Sequence, residues 1–337
     1  MTYAYPRVAD IGVRIKTVLQ TYRNAGGKAP CLLFHNATDG RELVAMLGRR
    51  GKGLPTNVIP LEVFHTAALG LDVILGSFAL GAAQFAILCT GSEAPDYQVA
   101  SRRQLDLAQQ IVAGLGYGNG HFKLIEAHEV AGLEHTVWNF GAVREVNPAT
   151  FNLFNEKRTT LDFVFDHLVK NAPAPVDEIP LARGAPYGGV EVDTKTCTLC
   201  MACVGACPEG ALLDAKDTPQ LKFIERNCVQ CGLCEKTCPE DAISLTPRLL
   251  LGKQAKVEVV LNRAEPYNCA RCGKPFGAKQ MIDNMLGRLN THSMFAAAAA
   301  LRRLQMCADC RVIDILEDKE QASILDYRGG KDGKTDS

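Results

Sequence analysis

"CTLCMACVGACP" (197–208) and "CVQCGLCEKTCP" (228–239) are two copies of one line, C-x2-C-x2-C-x3-C-P, starting 31 residues apart. The likeness runs on, since "CPEGALLD" (207–214) matches "CPEDAISL" (238–245), so two equivalent half-modules can pack about a pseudo-two-fold axis. Three thiols in a loop this tight converge on one inorganic centre. Paired C-x-x-C also serves zinc, but zinc takes four ligands in a tetrahedron, and overlapping triplets with an offset fourth cysteine do not divide that way. The spacing therefore points to iron–sulfur clusters. Leu199, Met201, Ala202, Gly205, Ala206, Gly232 and Leu233 are small or apolar, which lets backbone N–H groups approach the sulfurs and keeps water away. Pro208 and Pro239 turn the chain away after each fourth cysteine.

Over about 190–247 these runs resemble bacterial-type two-cluster ferredoxins. The resemblance implies that the fourth cysteine of each run ligates the other cluster. One [4Fe–4S] cluster then takes Cys197, Cys200, Cys203 and Cys238, and the second takes Cys228, Cys231, Cys234 and Cys207. It also implies one-electron transfer at low potential. The module carries nine acidic against five basic residues over 191–247, a surface suited to a basic docking face on a partner.

The whole chain of 337 residues is long enough for two or three domains. Its 37 basic and 37 acidic residues balance, which gives no support to a nucleic-acid or membrane-surface role. The N-terminus shows no export signal, so a cytoplasmic location is expected, and 14 cysteines there mean metal rather than disulfides. The apolar stretch 67–90 is broken by Asp72, Gly76 and Gly81, so a helix followed by a strand is expected there, not a membrane span.

Residues 1–170 read as an α/β domain. Helices are expected at 6–25, 40–50, 71–81, 99–116 and 149–171, and strands at 31–35, 57–64, 84–90 and 121–127. The alternation predicts a parallel sheet with helices on its faces. "GLGYGNG" (114–120) follows a helix and reads as its cap and turn, not a dinucleotide fingerprint. "HEVAGLEH" (128–135) matches no named metal motif. The Pro/Gly-rich segment 171–189 is expected to be a linker. A third unit is expected at 248–327, with a strand at "KVEVVL" and helices at "AKQMIDNMLGRL" and "MFAAAAALRRLQ", followed by a disordered tail at 328–337.

Segment 57–116, with its strand, glycine-spaced helix, strand ending in Cys89 and Arg-rich helix start, resembles the delta subunit of methyl-viologen-reducing hydrogenases. In that family the domain carries a cysteine-ligated cluster. Here "FHNATDG" (34–40), "VFHTAA" (63–68) and "CTGSEAPDY" (89–97) stand where most of those cysteines would be, leaving Cys89 and Cys31. The resemblance thus implies a degenerate domain that keeps docking without metal. His35 and His65 as replacement ligands are weighed against hydrogen-bonded structural histidines, and the latter are favoured. Cys31 and Cys89 are read as buried small hydrophobes.

"YNCARCGKPF" (267–276) and "LQMCADCRV" (304–312) supply Cys269, Cys272, Cys307 and Cys310. Two knuckles closing one tetrahedral site describe structural zinc, with a single iron, another cluster or redox-active thiols as alternatives. Gly273 permits the tight turn.

The fold class expected is an α/β N-terminal domain, an α+β two-cluster ferredoxin-like module and a small metal-stabilised C-terminal unit. The function expected is electron transfer to or from an oxidoreductase partner, with no separate catalytic site. The three-part arrangement also resembles iron–sulfur proteins found with bacterial formate dehydrogenases. An assembly or redox-sensing accessory protein is the alternative; a flavin enzyme is disfavoured by the missing phosphate loop.

Overall fold

A computed structural model of the chain describes residues 7–215, 218–295 and 298–318. It separates into two compact units: the described residues up to Gly188 together with Pro247–Ala255, and Gly189–Thr246 with the described residues from Lys256 onward.

In the first unit β1 (Cys31–Asn36), β2 (Val58–Val63), β3 (Gln84–Cys89) and β4 (Phe122–Glu126) form a parallel sheet in the order β2-β1-β3-β4. Parallel neighbours require crossovers, and these are α2 (Asp39–Arg50), α3 (Leu71–Ala79) and α4 (Pro95–Gly114), with α1 (Val8–Asn24) leading in. The central strands are buried end to end, which is why "CLLF" (31–34) and "FAILC" (85–89) read as continuous apolar runs. Their pleat divides the core. Leu32, Phe34, Phe85, Ile87 and Cys89 face a layer of α1, α3, α4 and α6 (Lys157–Lys170). Cys31, Leu33, Ala86 and Leu88 face α2 and α5 (Val130–Trp138). Pro60 sits on edge strand β2, where a missing N–H is tolerated.

Phe78 is the centre of the larger layer. It is 1% exposed and packs edge-on against Tyr117 at 5.4 Å and His121 at 4.8 Å. Replacing it with alanine removes a buried ring from this packing, at a cost of about 3–5 kcal/mol. Chemical denaturation of Phe78→Ala should report that loss in this unit, with iron content unchanged. Gly12 and Gly76 both receive the Leu153 side chain; a Cβ at either would stand 2.7 Å from a Leu153 carbon.

Several boundaries differ from expectation. The helix expected at 149–171 starts only at Lys157, because the Glu156 carboxylate accepts N–H groups of Arg158 and Thr159 and caps it there. Thr160 holds the preceding loop by exchanging two hydrogen bonds with the Phe154 backbone, at 2.8 and 3.1 Å. Segment 128–138 holds α5, where the sequence reading placed no element.

The segment 171–189, read as a linker, carries Ile179, Leu181, Ala185 and Tyr187 buried in the core of the first unit. Its strand β5 (Glu178–Pro180) pairs antiparallel with Arg248–Leu250, a return of the chain that no local pattern signals.

Over Gly188–Leu250, most of it in the second unit, the repeat reappears as structure. Strand β6 (Gly188–Val192), helix α7 (Ala202–Ala206) and strand β7 (Leu212–Asp214) correspond at an offset of 31 to β8 (Gln220–Phe223), α8 (Leu233–Thr237) and β9 (Ile243–Leu250). Strand β7 pairs antiparallel with β8, and β10 (Val259–Arg263) extends that sheet on the other side of β8. Beyond it β11 (Pro266–Asn268) and β12 (Pro275–Ala278) form a hairpin, followed by α9 (Lys279–Leu289), α10 (Ala298–Leu304) and α11 (Ala308–Glu317). Arg303, on α10, donates to Asp314 on α11 at 2.8 Å and to Asp318. The tail at 328–337 lies outside the described residues. No helix among the described residues is long and apolar enough to cross a membrane, and 67–90 resolves into α3 and β3.

Candidate metal centres

The eight thiols of the two runs line two separate hollows. One is lined by Cys197, Cys200, Cys203 and Cys238. The other is lined by Cys207, Cys228, Cys231 and Cys234. Each hollow thus takes three thiols from one run and the fourth from the other.

The backbone is shaped for this. Leu199 and Met201 adopt φ of 56° and 60°, and their counterparts Gln230 and Gly232 adopt 54° and 77°. A left-handed residue with a side chain is strained and persists only where its surroundings fix it. Alternating such residues turns successive N–H groups to one side, a concavity suited to anionic sulfur. N–H to sulfur bonds recur with the same offset: Ala211 N donates to Cys207 Sγ and Ala242 N to Cys238 Sγ, both at 3.3 Å. Gly210 and Asp241, before these donors, are both left-handed, at φ 59° and 49°.

Burial pushes the Cys203 thiol up to about 12, with Cys197, Cys200 and Cys234 adding repulsion, and Cys234 up to about 11. Burial likewise raises Cys228, against N–H bonds from Gln230 that favour its thiolate. Clustered buried thiols of this kind hold protons unless a cation takes their place. The donor set, the N–H groups aimed at sulfur and the hollows together fit thiolate-ligated clusters.

The third cysteine set is tighter. The sulfurs of Cys269, Cys272, Cys307 and Cys310 all lie within 4.8 Å of one another, with Cys272 and Cys307 at 3.8 Å. A tetrahedron with metal–sulfur bonds of about 2.3 Å has edges of about 3.8 Å. Four thiolates on one ion match this spacing; four on separate irons of a cube would stand further apart. The first knuckle is the β11–β12 turn, closed by Cys269 N to Lys274 O at 2.8 Å and by Gly273 at φ 73°. The second opens α11, with Cys307 at its N-cap. At Cys269 burial raises the thiol, but N–H groups of Cys272, Cys307 and Arg271 outweigh it and bring it to about 6. Burial and the neighbouring thiols push Cys310 up to about 12.

Cys31 and Cys89 are not brought together. The register places Cys31 opposite Gln84, five positions from Cys89, and the two thiols face opposite sides of the sheet. Burial pushes both to about 12, the state of inert core thiols. His35 is buried with Nδ1 bonded to Asn36 O at 2.9 Å, and His65 Nδ1 accepts the Ala67 N–H at 3.0 Å. His128 precedes α5, and its Nδ1 bonds Thr90 O. Gly116, Gly118 and Gly120, all left-handed, turn the chain after α4 as the cap reading expects.

One residue at the hollows escaped the sequence reading. Gln230 donates to Cys228 Sγ from its backbone N and again from its side-chain Nε2, both at 3.4 Å. Its difference from Leu199 at the repeat-equivalent position was visible; the direction of its amide was not.

The family model for a 4Fe-4S dicluster domain matches residues 189–239, the stretch that holds all eight thiols of the two hollows. The match supports an iron–sulfur protein of the ferredoxin type, a kind typical of electron carriers. No curated protein matches the chain.

Proposed function

We propose that this chain is an electron-transfer protein carrying two [4Fe–4S] clusters, one on Cys197, Cys200, Cys203 and Cys238 and one on Cys207, Cys228, Cys231 and Cys234. The exchanged fourth cysteine in the lining of each hollow carries this reading. Bound clusters of this type supply one-electron chemistry at low potential.

The protein's own part is to hold them. Thiolates fix the positions, N–H groups of Ala211, Gln230 and Ala242 offset charge on sulfur, and apolar walls such as Ile243, Leu221, Phe223 and Leu245 exclude water. Cys200 and Cys231 are the exposed ligand of each set, so they mark the edges nearest an approaching partner. Cys269, Cys272, Cys307 and Cys310 hold a structural zinc ion, since four thiolates leave no open position for chemistry.

The partner is an oxidoreductase. Formate dehydrogenase is one candidate, from the resemblance of the three-part arrangement to proteins found with that enzyme, and the N-terminal α/β unit serves docking. The test is metal and sulfide analysis of anaerobically purified protein with EPR after dithionite. About eight iron and eight sulfide with reversible reduced-cluster signals are expected. Zinc in both hollows, or clusters that dithionite does not reduce, would sink the carrier reading.

A further inference from the structure

The two hollows are built by repeats, yet one sulfur in one of them receives a donor its counterpart lacks. Gln230 Nε2 lies 3.4 Å from Cys228 Sγ and 3.0 Å from Gly189 O. Both neighbours are acceptors, so the amide nitrogen and not its oxygen faces them. The amide oxygen is left buried without a partner, so the side chain is held for what its nitrogen does. At the repeat-equivalent position stands Leu199, whose side chain has nothing to donate.

Reduction adds one negative charge to a thiolate-ligated centre. An N–H aimed at a ligand sulfur stabilises that added charge and raises the reduction potential. Resting on the two-cluster reading above, we propose that Gln230 is a tuning residue: its side-chain N–H raises the potential of the cluster on Cys207, Cys228, Cys231 and Cys234, and so makes two repeat-related sites unequal. The Arg288 guanidinium, 2.6 Å from Glu240 beside the other hollow, pulls the other way. It is well exposed and screened, and it stays constant between variants, so the shift caused by substitution is the measure rather than the native order of potentials.

The experiment is a dithionite redox titration, followed by EPR, of the full chain and of Gln230→Leu. The midpoint at issue is the one that Cys207→Ala abolishes. A charge-assisted hydrogen bond is worth about one decade in an equilibrium. Gln230→Leu should therefore lower the reduced-to-oxidised ratio of that cluster about tenfold at a given potential, a downward shift of about 59 mV for one electron. The other midpoint should stay in place. Should Gln230→Leu lose iron, Gln230→Met, unbranched and without a donor, must show the same shift. An unmoved midpoint, or an equal shift of both, overturns the proposal. Absence of two reducible clusters in the unsubstituted protein would instead defeat the reading on which it rests.

Discussion

Replacing Cys207 with alanine should empty the hollow built by the other run and spare the hollow of its own. Iron and sulfide should fall from about eight to about four per chain. Alanine is chosen because a serine oxygen can still bind iron. The exposed thiols Cys231 and Cys200 report which site was lost, since alkylation needs the thiolate, and burial holds Cys234 and Cys203 up at about 11 and about 12. Under native conditions Cys231 should become reactive in Cys207→Ala while Cys200 stays protected. Cys238→Ala should give the mirror pattern. If Cys207→Ala exposes Cys200 and protects Cys231, the exchange of fourth ligands is wrong.

The second large effect is expected at the C-terminal site. Structural zinc contributes about 10–16 kcal/mol of apparent folding free energy in small domains, far beyond any single side chain. Cys269→Ala should release one ion per chain, measured by elemental analysis, and hydrogen exchange across 266–317 should rise to that of an unfolded segment. Iron should remain. Affinity for the ion should climb with pH, because Cys310, raised to about 12, must give up its proton to bind. Cys269 works in the opposite sense: lowered to about 6, it is already a thiolate at neutral pH and loses that advantage only as pH falls through 6. Chelator competition between pH 6 and 8 reads the slope, and a flat profile would speak against four thiolate ligands.

The parallel sheet was legible because β1 and β3 are buried on both faces and leave unbroken apolar runs. The thiol sets were legible because ligand spacing is a local property. What escaped the sequence depends on contacts far along the chain. Prolines and glycines in 171–189 look like a linker, and the strand Arg248–Leu250, some seventy residues away, with α4 at Gly114, makes Ile179 a core residue. Pro148 and Asn155 precede a helix that Glu156 starts late, a choice made by one carboxylate and two N–H groups. Gln230 is illegible for a different reason. Its type is unremarked in a loop, and its meaning lies in the rotamer that sets Nε2 on a sulfur.

The trading of one thiol between runs also bears on synthesis. A growing chain that has reached residue 233 has neither lining whole: one still needs Cys234, the other Cys238. Both then become complete within five residues of translation. A ribosome that stalls between the repeats would present one triplet of thiols and Cys207 alone, so delivery of iron and sulfide to a finished pair of sites must await the end of the second repeat.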